Sequence, residues 1–459
     1  MEQITKPHCG ARLDRLPDCR WHSSMFAIVA FGLLVCWSNA VGGLILAQLK
    51  ALGWTDNSTT ATFSAITTAG MFLGALVGGI IGDKTGRRNA FILYEAIHIA
   101  SMVVGAFSPN MDFLIACRFV MGVGLGALLV TLFAGFTEYM PGRNRGTWSS
   151  RVSFIGNWSY PLCSLIAMGL TPLISAEWNW RVQLLIPAIL SLIATALAWR
   201  YFPESPRWLE SRGRYQEAEK VMRSIEEGVI RQTGKPLPPV VIADDGKAPQ
   251  AVPYSALLTG VLLKRVILGS CVLIAMNVVQ YTLINWLPTI FMTQGINLKD
   301  SIVLNTMNMF GAPFGIFIAM LVMDKIPRKT MGVGLLILIA VLGYIYSLQT
   351  SMLLITLIGF FLITFVYMYV CYASAVYVPE IWPTEAKLRG SGLANAVGRI
   401  SGIAAPYAVA VLLSSYGVTG VFILLGAVSI VVAIAIATIG IETKGVSVES
   451  LSIDAVANK

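Results

Sequence analysis

Residues 78–88 read GGIIGDKTGRR, a run of glycine and isoleucine broken by Asp83 and then by three cations, Lys84, Arg87 and Arg88. The rest of the chain makes that arrangement costly. Of 459 residues, 56% are hydrophobic and only 12% charged, about half the charge of a soluble domain. No aqueous fold of this length buries so much apolar surface, so lipid is the solvent. About 20 apolar residues cross a hydrocarbon core of about 30 Å. Twelve such runs are present: 25–49, 61–82, 90–107, 112–137, 150–173, 182–202, 265–292, 302–323, 331–349, 352–378, 390–413 and 418–441. Only helices and closed barrels satisfy their backbone in lipid, and continuous runs exclude a barrel's alternation. An all-α membrane protein with twelve transmembrane helices is expected.

The formal net charge of +9 follows topology rather than a nucleic-acid partner. With the N-terminus inside, only Lys50, Arg181 and Lys299 fall outside, and Arg118 and Arg399 lie within spans. All other Lys and Arg sit in tails, return loops and membrane edges on one side, which makes that side cytoplasmic for both termini. The polar head before residue 25 has no small-residue cleavage pattern, so a removable signal peptide is not expected. The seven cysteines are scattered, without CxxC or metal spacing, so neither a disulfide framework nor a metal site is expected. The stretch GVGLGA at 122–127 lies inside an apolar helix with no preceding strand. Close helix packing through small residues explains it better than a dinucleotide fingerprint. No cofactor is implied.

The stretch 203–264 is the long polar interruption and divides the spans six and six. Across it, chemistry recurs after about 240 residues. Asp83, Arg87 and Arg88 match Asp324, Arg328 and Lys329; Glu138, Pro141 and Arg145 match Glu380, Pro383 and Arg389; Glu204 matches Glu442. The chain therefore reads as a duplicated six-helix unit. Its parts are a cytoplasmic tail (1–24), a first bundle (25–202), a central loop with short amphipathic helices (203–264), a second bundle (265–441) and a second tail (442–459). Charge is expensive in hydrocarbon, so these clusters belong at cytoplasmic helix mouths. There the acids Asp83, Glu138, Asp324 and Glu380 are expected to meet cations or helix N-termini of the opposite half and latch an inner gate. If Lys and Arg only enforced topology, the acids would go unexplained.

GGIIGDKTGRR resembles the signature loop of the major facilitator superfamily. PESPRWL at 203–209 and ETKGVSVES after the last span resemble the marks of its sugar-porter family and of the related organic-ion porters. The resemblance covers 25–449 and implies the two-bundle fold, alternating access and charge networks at the positions above, including Arg207. Two departures stand out. Pro327 replaces the second motif glycine, which predicts a weaker second loop. Arg389 follows Glu380 by nine residues where Arg145 follows Glu138 by seven, which is closer to the organic-ion branch.

Ionisable groups inside spans are functional candidates by default. Arg399 lies nine residues beyond Gly390, about 13 Å along a helix and hence near the midplane. Its guanidinium fork suits a carboxylate; the alternative is a structural arginine tied to carbonyls or to Tyr372. Sugar porters as a rule lack this arginine, which moves the substrate towards an acid. In span seven, Asn277, Tyr281 and Asn285 share a face beside Gln280. Amides and a phenol read hydroxyl-rich ligands, or else they hydrogen-bond neighbouring helices. In sugar porters this helix contributes much of the sugar site, although their paired glutamines and tyrosines are not reproduced here. Asn39, Asn157, Trp158 and Tyr372 are further candidates for the cavity.

Arg118 matches the arginine that proton-coupled sugar porters pair with an aspartate in the first helix. That aspartate is missing from CWSNAVGG, where Asn39 falls at the same depth. Glu95 and His98, three apart on span three, are the remaining protonatable groups in lipid; they form either a titrating site or a local structural pair. The expectation is a monomeric secondary transporter in a plasma membrane, namely a bacterial inner membrane. Its cargo would be a sugar or sugar acid, with proton symport, or alternatively a carboxylate or aromatic acid. A nutrient sensor on the same scaffold would want longer tails. An intramembrane enzyme would want a nucleophile–base pair that three histidines do not supply.

Overall fold

The computed structural model describes residues 7–17, 19–35, 38–141, 145–240, 253–323, 325–383 and 386–444, of which the side chains at 133, 134, 137, 145, 146 and 388 are left aside. Among the described residues every regular element is a helix. Among the described residues, nine helices are long and apolar enough to cross a membrane. The last of these runs Lys387–Ile439, 53 residues or about 80 Å, far longer than one crossing. Its break is Gly417 at φ 64° and ψ −159°, a conformation open to glycine and strained for other residues. The expected first span is split into Arg20–Val35 and Gly42–Ala51, and the fifth into Arg145–Asn157 and Ser159–Leu170. With these pieces the helix inventory agrees with twelve crossings. Span eight is likewise parted, at Phe310, and span ten ends in a π-helical turn, Tyr372–Tyr377.

Contacts group the chain into two compact units. One holds Met1–Asn39, Gly70–Ser159 and Leu184–Gly246; the other holds Ala40–Ala69, Tyr160–Gln183 and Lys247–Lys459. The grouping cuts across the sequence repeat, because the outer ends of spans one, two, five and six fall with the second half.

In the first unit, spans two and four approach backbone to backbone. A Cβ added at Gly70, Gly74 or Gly126 would land on the backbone of Phe119, Val123 or Met71, and one at Gly124 would press on His98. The glycines of 122–127 thus serve helix contact.

The N-terminal segment is docked onto the central loop. Helix Tyr215–Thr233 is amphipathic, with Ala218, Met222, Ile225 and Val229 buried. Their apolar stripe is covered by Cys9, Leu13 and Leu16. Arg12 binds Glu226 with two bonds, at 3.0 and 2.6 Å, and also pairs with Glu219, while Arg15 reaches Glu226 at 2.6 Å. Burial pushes the Glu219 and Glu226 carboxyls up, but the arginines outweigh it and hold both below their ordinary value of 4.5. Because the folded-state values are depressed, this stabilisation is complete above 4.5 and fades as pH falls through the lower folded values. Amide exchange over residues 9–14 should therefore accelerate at least roughly tenfold in Arg12→Ala at pH 7. Wild type should converge on the variant as the pH drops from 4.5 downward. Equal protection in both proteins at pH 7 would show that the apolar stripe alone holds the segment.

In the second unit, the outer ends of the first repeat pack on the second. Gly43 admits the backbone of Ile284 and Asn285, where no Cβ fits. Asn57 Nδ2 donates to Ser414 Oγ at 2.9 Å, and Asn305 Nδ2 donates to Ser164 Oγ at 3.1 Å. Tyr160 meets Tyr367 edge-on at 5.3 Å. These bonds between the two repeats are all made by neutral groups.

Candidate functional site

The cytoplasmic clusters explain the two signature motifs atom by atom. Gly86, at φ 96°, lets the chain turn into helix Arg87–Ala106 and leaves room for the Glu204 carboxylate. Glu204 Oε1 accepts the N–H of Arg87 at 2.7 Å and of Arg88 at 3.3 Å, placing an anion on a helix N-terminus. Arg87 bonds Glu138 Oε1 through Nε at 2.9 Å and Asp83 Oδ1 through Nη1 at 2.7 Å. Ser205 donates to Glu138 at 2.5 Å, Arg207 Nε donates to the Glu138 carbonyl at 3.0 Å, and Trp208 Nε1 donates to the Asp83 carbonyl at 2.7 Å. Arg88 binds the Trp199 carbonyl.

The second half repeats the pattern. Glu442 accepts from the N–H of Arg328 at 2.8 Å and of Lys329 at 3.1 Å. Arg328 forks onto Glu380 at 3.0 and 3.1 Å, and Thr443 donates to Glu380 at 2.6 Å. Burial pushes the Glu442 carboxyl up, yet the N–H groups of Arg328, Lys329 and Lys444 hold it below the ordinary range.

Pro327 precedes the second helix at φ −56°, where a helix start has no use for the N–H that proline lacks. Asp83, expected to meet cations or a helix N-terminus of the opposite half, meets Arg87 of its own. Arg389 stands over the Tyr254 ring at 5.2 Å. Asp324 and the Arg145 side chain lie outside the described residues.

Deeper in the first unit, Glu95, His98 and Arg118 come together. Glu95 and His98 are wholly buried and Arg118 is 1% exposed. His98 Nδ1 lies 3.4 Å from Glu95 Oε2, and His98 Nε2 lies 2.7 Å from Ser38 Oγ. Arg118 Nη1 donates to the Ser38 carbonyl at 2.7 Å. Ser38 was not legible as a participant. It stands at the break of span one, where backbone carbonyls lose their helical partners. Asn39, beside it, is half-buried. Asn157 and Trp158 mark the corresponding break of span five, and Asn157 Nδ2 returns to its own Ser153 carbonyl at 2.7 Å.

In the second unit, the turn carrying Arg399 packs on span seven. A Cβ at Gly398 would approach Asn277 Nδ2 at 3.0 Å, and one at Gly402 would approach the Tyr281 ring at 3.1 Å. Arg399 Nη1 is buried with no hydrogen-bond partner among the described residues. Asn277 donates to Leu273 of its own helix at 2.7 Å. Gln280 is half-buried beside the hydroxyls of Tyr160 and Tyr367. Asn285 is buried at the Gly43 contact. Tyr372 lies elsewhere: it stacks on Tyr377 at 5.0 Å and abuts Gly332, one turn from Arg328. Tyr160, Tyr367 and Asn305 join the polar set, and sequence periodicity alone did not single them out.

Known proteins resemble the chain in sequence and in fold. The chain is 44% identical to the inner membrane metabolite transport protein YdjE of Escherichia coli, over 98% of this chain and 99% of its relative. It is 26% identical to the niacin transporter NiaP of Acinetobacter baylyi, over 96% and 99%. The inward open structure of the xylose transporter XylE from E. coli superposes with a TM-score of 0.75, covering 94% of this chain and 99% of the other at 16% identity. That likeness concerns the fold. The family described as "Sugar (and other) transporter" matches residues 24–455, so the chain belongs to that family of multi-pass transporters on the major facilitator fold.

Proposed function

We propose that the chain moves a sugar acid across a bacterial inner membrane by alternating access, together with protons. The unpartnered, buried Nη1 of Arg399 carries this reading. A guanidinium N–H buried without an acceptor is costly, so a ligand carboxylate is its natural complement. Asn277 and Tyr281, packed against the same turn, and Gln280 next to Tyr281 in the chain offer donors and acceptors for hydroxyls. The Glu204 and Glu442 clusters serve as hinges of the cytoplasmic gate.

A second reading, an aromatic or simple carboxylic acid, draws support from the Tyr160–Tyr367 pair and from the relative named as a niacin transporter. A thermal-shift screen of purified protein against neutral sugars, aldonates, uronates and monocarboxylates, nicotinate among them, at two pH values separates the readings. Uronates or aldonates should stabilise it most. Stabilisation by nicotinate alone selects the second reading, and stabilisation by neutral sugars alone refutes both.

A further inference from the structure

We propose that Glu95, His98 and Ser38 form the proton-carrying site, and that its occupancy is transmitted to the break in span one through Ser38. This deepens the reading of proton-coupled transport and names the residues that carry the coupling. His98 is held at both ring nitrogens, by Glu95 on Nδ1 and by the Ser38 hydroxyl on Nε2. When the imidazole is neutral with its proton on Nδ1, Ser38 donates to Nε2. When it is protonated, Nε2–H donates and the hydroxyl must turn to accept. One proton enters the Glu95–His98 pair and later leaves it; nothing else is exchanged.

The consequence falls on the break in span one. Ser38 and Asn39 close one compact unit and Ala40 opens the other, so the chain passes between them just after the hydrogen-bonded serine. The carbonyl of the same serine accepts from Arg118. A proton on His98 therefore adds positive charge two bonds away from a buried guanidinium, across a single residue. Glu95 is the acid that offsets the pair's charge. Among the described residues, Tyr94 on the same helix, bonded to the Gly78 carbonyl, and Cys117 on span four are further ionisable side chains close in the chain to Glu95 and Arg118. Spans two and six carry no charged residue between 57 and 82 or between 182 and 199.

The chain has three histidines, and the other two, His8 and His22, lie in the N-terminal segment. This makes His98 readable by histidine-selective isotope labelling and NMR in nanodiscs, without any substrate. The pH response of the His98 resonances should move by about one pH unit or more in Glu95→Gln, because the imidazolium loses its carboxylate. Ser38→Ala, a milder change should Glu95→Gln fold poorly, should also displace the midpoint and the Nε2 resonance. In proteoliposomes, D-glucuronate counterflow should persist in His98→Gln while accumulation driven by an inside-alkaline gradient falls at least tenfold. A His98 that does not titrate, or a midpoint indifferent to both variants, overturns the site. If glucuronate is not carried at all, the substrate reading fails while the titration still decides the proton site.

Discussion

Arg399→Gln is expected to lower the affinity for a sugar acid more than a hundredfold while sparing any residual binding of the neutral sugar. Arg399→Lys keeps the charge and loses the bidentate fork, so it should cost one to two orders of magnitude, roughly 1.4–3 kcal/mol. The size of the effect follows from what the second half offers its arginine. Acids in spans seven to twelve stand only at cytoplasmic ends: Asp324, Glu380, Glu385 and Glu442. Glu380 and Glu442 are both committed to Arg328 and its helix start. Nothing among the described residues supplies Arg399 Nη1 with a partner, which leaves it open to the carboxylate of the proposed ligand. Isothermal titration with the best anion and the matching neutral sugar measures both affinities. Equal binding of the neutral sugar by wild type and Arg399→Gln, with that sugar as the tight ligand, would make Arg399 structural and end the acid reading.

The elements legible in the sequence were those set by strong, local physics. Apolar length gave the spans, and the repeated acid–cation spacing gave clusters that the structure builds almost identically around Glu204 and Glu442. The breaks in spans one and five were not legible, because hydropathy stays high straight through CWSNAVGG and across Asn157-Trp158. Ser38 acquires its role only from the break, so the link between His98 and Arg118 was hidden even though its ends were both singled out.

The docked N-terminal segment left a weaker trace. An amphipathic helix at 215–233 with an apolar stripe needs a cover, but nothing local says that Cys9, Leu13 and Leu16 provide it. Tyr372 misled for a geometric reason. Span ten runs inward, so a tyrosine six residues after Val366 approaches the cytoplasmic Arg328 cluster rather than the level of Arg399. Asp83 was expected to meet the opposite half and meets Arg87 of its own, because spacing shows that an acid meets a cation and leaves unsaid which half supplies it.

Glu204→Ala should be far more damaging than Asp83→Asn, although Asp83 lies in the more recognisable motif. The Asp83 side chain is 64% exposed and makes one ion pair, to Arg87 four residues on. Exposed pairs at that spacing contribute about 0.3–0.5 kcal/mol, and the Asp83 carbonyl that holds Trp208 survives the substitution. Glu204 instead accepts two backbone N–H groups at a helix start and a third from Ser205. Removing that carboxylate strips charged hydrogen bonds worth about 1.5–3 kcal/mol each before relaxation and uncovers the positive helix end. A net loss of about 2–4 kcal/mol is expected after water replaces part of the contact. Glu442→Ala should behave alike, because its bonds to Arg328 and Lys329 have the same form. Thermal unfolding in nanodiscs ranks the three variants, and counterflow of the preferred anion reports whether the cycle slows in proteins that remain folded. If the cations serve insertion alone, Glu204→Ala and Glu442→Ala will fold, melt and cycle like wild type. If Asp83→Asn proves as costly as Glu204→Ala, the carboxylate at the helix start is not what holds the cluster.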